Sequence, residues 1–293
     1  MQGTVIVEKL RALKGHLRER YPRLHLYLFQ RPNARRRFRN ERLAERGVAL
    51  SQSNHHSILF FTAHKCASVY VSKLLKRLSE DAGMVHLDFD TYFHMSNEAE
   101  YRLFSEPRFL RRAIHPRGYY YGALRWYREI PNMDQYAVLL VLRDPRDVMT
   151  SLYFSLRYSH RMSSARLVRW RQQSEGLTLD EFVLRHADGF DGRYRQYCDE
   201  LLGQANVLFL SYEDMVADFS RWLDRLAAHL SLDTNSGLLA TLEQEADFTV
   251  DQQRLTAHRR QVTPGEHRRK LRAETIQELN GRFGYSLERL GYA

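Results

Sequence analysis

Ala137–Leu142 (AVLLVL) constrains the fold more than any other stretch of this 293-residue chain. Six consecutive apolar residues cannot form a strand with one face in water. They predict a strand buried on both faces, as in parallel sheets covered by helices. Asp144-Pro145 follows at once, an N-cap and then a proline at the first helical position. The same pattern recurs. Ser57–Thr62 (SILFFT) predicts a strand, helical spacing follows in Val71, Leu74, Leu75 and Leu78, and Gly83 is placed to end that helix. Val85–Phe89 and Val207–Leu210 predict further strands. Thr178-x-x-Glu181 reads as a capping box, and Met215, Phe219, Trp222, Leu223, Leu226 and Leu230 mark an amphipathic helix. Such alternation predicts a three-layer α/β/α fold around a central parallel sheet.

The charge divides the chain. Residues 1–50 hold 13 Lys/Arg against 4 Asp/Glu, whereas the remaining residues hold 32 against 31. The expected organisation is a basic, mainly helical arm over residues 1–50 and one domain over 51–293. The arm admits three readings: a solvated helix face, a membrane-surface helix with Val7, Leu10, Leu13 and Leu17 at helical spacing, or a nucleic-acid contact. Sparse aromatics and the lack of a zinc-finger or RNA-recognition motif count against the last. The near-neutral body argues against a nucleic-acid face on the main domain, and no nucleic-acid partner is expected. No run reaches the length of a membrane span, and the early charges do not read as a secretory signal. Two cysteines, Cys66 and Cys198, make neither a disulfide framework nor a four-ligand zinc site; they predict a reducing, cytoplasmic setting.

Three segments carry candidate chemistry. After the first strand comes Thr62-Ala-His-Lys-Cys-Ala-Ser-Val-Tyr70, a small-residue loop opening a helix. Free backbone N–H groups and the helix dipole converge there, with Lys65 and the Ser68 hydroxyl beside them, which suits a phosphate. The Walker string G-x-x-x-x-G-K-[ST] is absent, which counts against a small-molecule kinase. An ordinary strand-to-helix turn with a surface lysine has the same sequence. The second segment places Arg143 at the carboxyl end of the AVLLVL strand and Ser151 eight residues on, where a second phosphate could be held. The plain alternative is a capping and salt-bridge cluster of Asp144, Arg146 and Asp147, which would leave Arg143 without a partner. The third, His258–Lys270, turns at Pro264-Gly265 between basic residues and reads as a basic loop closing over an anion, or as a solvated one.

Together these segments resemble the sulfotransferases that use 3′-phosphoadenosine 5′-phosphosulfate (PAPS), over roughly residues 55–290. The family's first loop reads close to P-K-S-G-T-T-W. Here it is His64-Lys65-Cys66-Ala67-Ser68-Val69-Tyr70, with Ala67 for the glycine, Val69 for a threonine and Tyr70 for the tryptophan. Arg143 and Ser151 match the family's 3′-phosphate pair. The late R-K-G-x-x-G-D-W motif survives as Arg260, Gly265 and Glu266, and the Ser211–Met215 stretch containing Tyr212 also resembles the family.

The resemblance implies an in-line transfer of the sulfuryl group from PAPS, bound at a P-loop-like phosphosulfate loop, to an acceptor hydroxyl or amine, with PAP as product and no metal. It implies that Lys65 neutralises the leaving phosphate, that Cys66, Ala67, Ser68, Val69 and Tyr70 hold the 5′ end, and that Arg143, Ser151, Tyr212 and Arg260 hold the nucleotide. For the general base it points to Asp88, then His115, then Asp90. A small molecule, carbohydrate or lipid is the expected acceptor, and the basic arm a possible membrane contact.

Overall fold

The computed structural model describes residues 12–17, 20–96, 106–159, 170–232, 236–246 and 263–293. Short helical turns at Pro22–His25 and Leu26–Gln30 lead into α1 (Arg31–Arg37) and α2 (Arg39–Glu45). Then come β1 (Ile58–Thr62), α3 (Ser68–Asp81), β2 (Val85–Leu87), α4 (Phe89–Ser96), α5 (Pro107–Ala113), β3 (Tyr119–Leu124), β4 (Ala137–Leu142) and α6 (Pro145–Phe154). The chain continues through α7 (Leu179–Glu200), β5 (Val207–Ser211), α8 (Tyr212–Ala217), α9 (Phe219–Leu230) and α10 (Ser236–Gln244). It closes with α11 (Glu266–Lys270), α12 (Ala273–Arg282) and α13 (Gly284–Leu290).

The strands form one sheet, in the order β2-β3-β1-β4-β5, with every pairing parallel. β1 and β4 are central, and β1 lies entirely out of water. Its even residues Ile58 and Phe60 join Leu74, Leu75, Leu139 and Trp222 in a core that takes in α3 and α9. On the opposite face Phe61 meets Tyr197 of α7, ring centroids 6.5 Å apart. Helices therefore cover both faces, the three-layer arrangement that the apolar run of β4 predicts.

Local signals act as read. Gly83 ends α3 with φ +68°. Asp144 caps α6 by accepting from Arg146 N at 2.9 Å. Thr178 and Glu181 close a complete capping box on α7. β1 starts one residue later than expected, β2 ends two residues earlier, and β5 runs one residue further. In β2 the chain turns at once into α4, whose first turn bonds to Asp88: Thr91 N donates to Asp88 Oδ1 at 3.0 Å.

Contacts divide the chain into two compact units. One comprises Met1–Leu50, Asp88–Ile114 and Arg161–Gln173; the other comprises Ser51–Leu87, His115–His160 and Ser174–Ala293 and holds the whole sheet. Residue 50 thus ends the first segment of a unit, and that unit also includes two later stretches beyond the basic arm. Its own core is aromatic: Phe89, Phe93 and Phe109 pack edge-to-face or stacked, and Phe38 meets Tyr92 at 5.7 Å.

Phe60 is fully buried at the sheet centre. Phe60→Ala should therefore lower unfolding free energy by about 3–5 kcal/mol, read from denaturant melts, because the packed core cannot collapse into the space left.

Candidate active site

Open α/β sheets collect ligands beyond the carboxyl ends of their strands, where strand order reverses. Here that point lies at β1, with β3 on one side and β4 on the other. Thr62 pairs with Val141 in register, so the loops that leave β1 and β4 start side by side. Two tyrosines of α7 tie these ends together. Tyr197 OH donates to Thr62 O at 2.8 Å, and Tyr194 OH donates to Arg143 O at 2.7 Å. Tyr194 OH also lies 3.8 Å from Cys66 Sγ. Burial pushes the Cys66 thiol up to about 11, so Cys66 is a neutral packing group under the loop.

The β1–α3 loop is conformationally unusual. Lys65 has φ +67° and Ala67 has φ +54°, left-handed values that cost an L-residue roughly 1–2 kcal/mol. Ala67 stands at the N-cap of α3 and has no side chain to cap it. By contrast α6, α7, α8 and α9 are capped by Asp144, Thr178, Ser211 and Asp218. The open donors at the start of α3, together with its dipole, suit an external anion. Lys65 is half-buried beside them, and Ser68 is buried. The Val69 side chain faces solvent, while Tyr70 packs edge-on against Phe219 at 6.0 Å.

Arg143 does have a partner, contrary to the expectation that a capping cluster would leave it unpaired. Arg143 Nη2 lies 3.1 Å from Asp147 Oδ2, and its guanidinium stacks 4.5 Å over the Tyr212 ring. Its Nε, buried, has no partner among the described residues. Ser151 is on α6, two turns along the helix that Arg143 precedes.

Asp147 is wholly buried and joins three segments. Its Oδ2 also accepts from Gly265 N at 2.7 Å; its Oδ1 accepts from His267 N at 2.8 Å and meets His267 Nδ1 at 2.6 Å. Burial alone would raise this carboxyl, but the His267 ring and the Arg143 guanidinium outweigh it and hold it well below the usual carboxylate range. The turn at Pro264-Gly265 is thereby fixed to the Arg143 helix. Glu266 is buried and accepts from Lys270 Nζ at 2.6 Å. Arg260 lies outside the described residues.

One cation that sequence reading missed belongs to this rim. Arg125 directly follows β3, and its Nη2 reaches Ser68 Oγ at 3.4 Å. The rule that singled out Arg143, a charge at the carboxyl end of an apolar strand, applies to Arg125 as well. The tyrosines of β3 mask the strand as an aromatic cluster.

The base candidates separate. His115 precedes β3, beside the start of β1, where Ser57 N donates to Pro116 O. It is therefore at the amino edge of the sheet, about 20 Å of strand from the Lys65 rim. His115 is corrected as a base on that ground, because parallel strands put everything before β3 at the wrong end. Asp88 serves as the cap of α4, and its N–H donates to Glu41 Oε1 at 2.8 Å. Asp90 is buried in the first turn of α4. Among the described residues no group of three His, Cys, Asp or Glu side chains forms a metal cluster.

A family model for the sulfotransferase domain matches residues 133–280. A crystal structure of mouse sulfotransferase SULT7A1 complexed with PAP is similar at 15% identity, covering 80% of this chain and 86% of that one, with a TM-score of 0.56. Retinol dehydratase, in complex with androsterone and inactive cofactor PAP, is similar at 14% identity over 79% of this chain and 80% of that one, with a TM-score of 0.55. These likenesses show the shared fold. No curated protein matches the chain.

Two outcomes test this geometry. Ala67→Gly should raise stability by about 0.5–1 kcal/mol in denaturant melts, because glycine accepts a left-handed backbone without a Cβ clash. Asp147 has a lowered folded pKa against an ordinary 3.8. Its stabilisation is therefore complete above about pH 4 and is lost as pH falls below that value. Asp147→Asn should cost about 3–5 kcal/mol at pH 7 and flatten the acid limb of stability, measured by melts at pH 7 and at several values below about pH 4.

Proposed function

Because the chain belongs to the sulfotransferase family, we propose that it moves the sulfuryl group of PAPS to a hydroxyl or amine of a small-molecule, carbohydrate or lipid acceptor. The observation that carries this reading is the pair of anion sites at one sheet rim: an uncapped, left-handed loop at Lys65–Ala67 and a buried arginine on the neighbouring strand. Their residues fit a nucleotide with phosphates at both ends. The N–H groups at the start of α3 donate to the 5′ end, and Arg143 Nε with the Ser151 hydroxyl donates to the 3′-phosphate. The donor supplies an activated sulfuryl group.

In this reading the acceptor heteroatom attacks sulfur in line, the bond from sulfur to the 5′-phosphate oxygen breaks, and the acceptor proton is lost. Lys65 stabilises charge growing on that oxygen, and Arg125 adds a second positive charge at the same loop. The loop's strained backbone is held from beneath by Cys66 and Tyr194, which restricts its movement on binding. Tyr212 lies in the nucleotide site and supports Arg143 by stacking under its guanidinium. Both cysteines are free and buried, which supports a reducing, cytoplasmic setting for the enzyme.

Adenosine 3′,5′-bisphosphate should raise the melting temperature, and ATP with Mg²⁺ should not. The reverse pattern would instead identify a small-molecule kinase. Lys65→Ala should lower turnover of labelled PAPS by roughly 10²–10³-fold while bisphosphate affinity changes less. Arg143→Lys, which keeps a charge beside Asp147, should weaken the bisphosphate by roughly 10–100-fold. Unchanged affinity in Arg143→Lys would remove Arg143 from the site.

A further inference from the structure

Residues 20–40 carry seven arginines and neither aspartate nor glutamate. The unit that contains them buries one side of this stretch through Ala34 and Phe38, with Phe38 packed on Tyr92. Tyr21, Leu24, Tyr27 and Leu28 are not on that buried side; they are 52%, 47%, 59% and 53% exposed. Leu24 and Leu28 lie four residues apart in the consecutive helical turns Pro22–His25 and Leu26–Gln30, about one turn from each other, and Tyr21 immediately precedes the first turn. Among the described residues half of the exposed large hydrophobic side chains lie in these eight positions, and the others are scattered. An apolar stripe of this kind in water is a binding face.

We propose that this face docks on an anionic lipid bilayer. Charge and chemistry select that occupant. Leu24 and Leu28 can enter the boundary between headgroups and acyl chains, and the tyrosines suit headgroup depth. Arg20, Arg35, Arg36, Arg37 and Arg39 are exposed around the stripe and meet lipid phosphates and carboxylates. The Arg31 guanidinium lies 4.5 Å over the Tyr27 ring, which keeps a positive charge at the edge of the apolar face. A nucleic acid would neutralise the arginines but leave both leucines in water. A second copy of the chain would bring the same positive charge against itself. No helix among the described residues is long and apolar enough to cross a membrane, so the contact lies in the plane of the bilayer. This inference stands apart from the assignment of the sulfuryl donor.

The test is flotation of the full chain with vesicles of phosphatidylcholine alone or with roughly 30 mol % phosphatidylserine. Binding to the anionic vesicles only, weakened by salt, is expected. Leu24→Glu with Leu28→Glu should lower that binding by roughly tenfold or more, as should Arg35→Glu with Arg36→Glu. Retained stabilisation by adenosine 3′,5′-bisphosphate shows that these variants fold, and near-native circular dichroism serves the same purpose if the donor assignment is wrong. No binding to anionic vesicles overturns the proposal, as does binding that the leucine variant leaves intact. Tighter binding to single-stranded RNA that ignores the leucines, or a dimer in solution that the leucine variant disperses, also overturns it.

Discussion

The site depends on the parallel pairing of β1 with β4. Parallel strands end at the same rim, and the register of Thr62 against Val141 puts the two following loops next to each other. Thr62 Oγ1 strengthens that end by donating to Val141 O at 2.8 Å. Tyr197 and Tyr194, three residues apart on one face of α7, then bond to the carbonyls of Thr62 and Arg143. One helix thus holds the ends of both strands from which the two candidate loops leave. Each hydrogen bond contributes about 1 kcal/mol net, but leaving either carbonyl buried and unpaired would cost more.

The β1–α3 loop carries a local conformational cost at Lys65 and Ala67. α6 and α7 start with a capping side chain, whereas α3 starts with a left-handed alanine. An alanine there forgoes both the backbone ease of glycine and the hydrogen bond of a serine or aspartate. In the proposed reading the N–H groups at the start of α3 meet the 5′ end of the nucleotide, which would make the strain part of the function. Arg143 presents the matching problem on β4. Its buried charge is tolerated because Asp147 and Tyr212 surround it, and the same Asp147 ties the Gly265–His267 turn to the site.

Several of these features were legible from the residues. The continuous apolar runs announced buried strands, and Asp144-Pro145 and Thr178-x-x-Glu181 announced helix starts, because caps and double-sided burial are local requirements. Lys65, Ser68, Arg143 and Ser151 stood out for the same reason, as polar groups beside such strands. Arg125 escaped because the tyrosines before it drew attention to a core. The role of Asp147 escaped because its partners Gly265 and His267 lie more than a hundred residues away. His115 was misplaced because distance along the chain from Arg143 does not reveal which end of a parallel strand a residue occupies.

By itself the sequence determined the α/β class, the helix caps, the basic arm and the residue types able to meet two phosphates, since each follows from neighbours in the chain. Only the tertiary structure decided that β1 and β4 adjoin, that α7 locks both loops, and that Arg143 carries its own counter-charge. It also decided that the arm turns Ala34 and Phe38 inward and leaves Leu24 and Leu28 in water. These depend on strand order and on contacts between distant segments, and hydrophobic patterning along one stretch is blind to both.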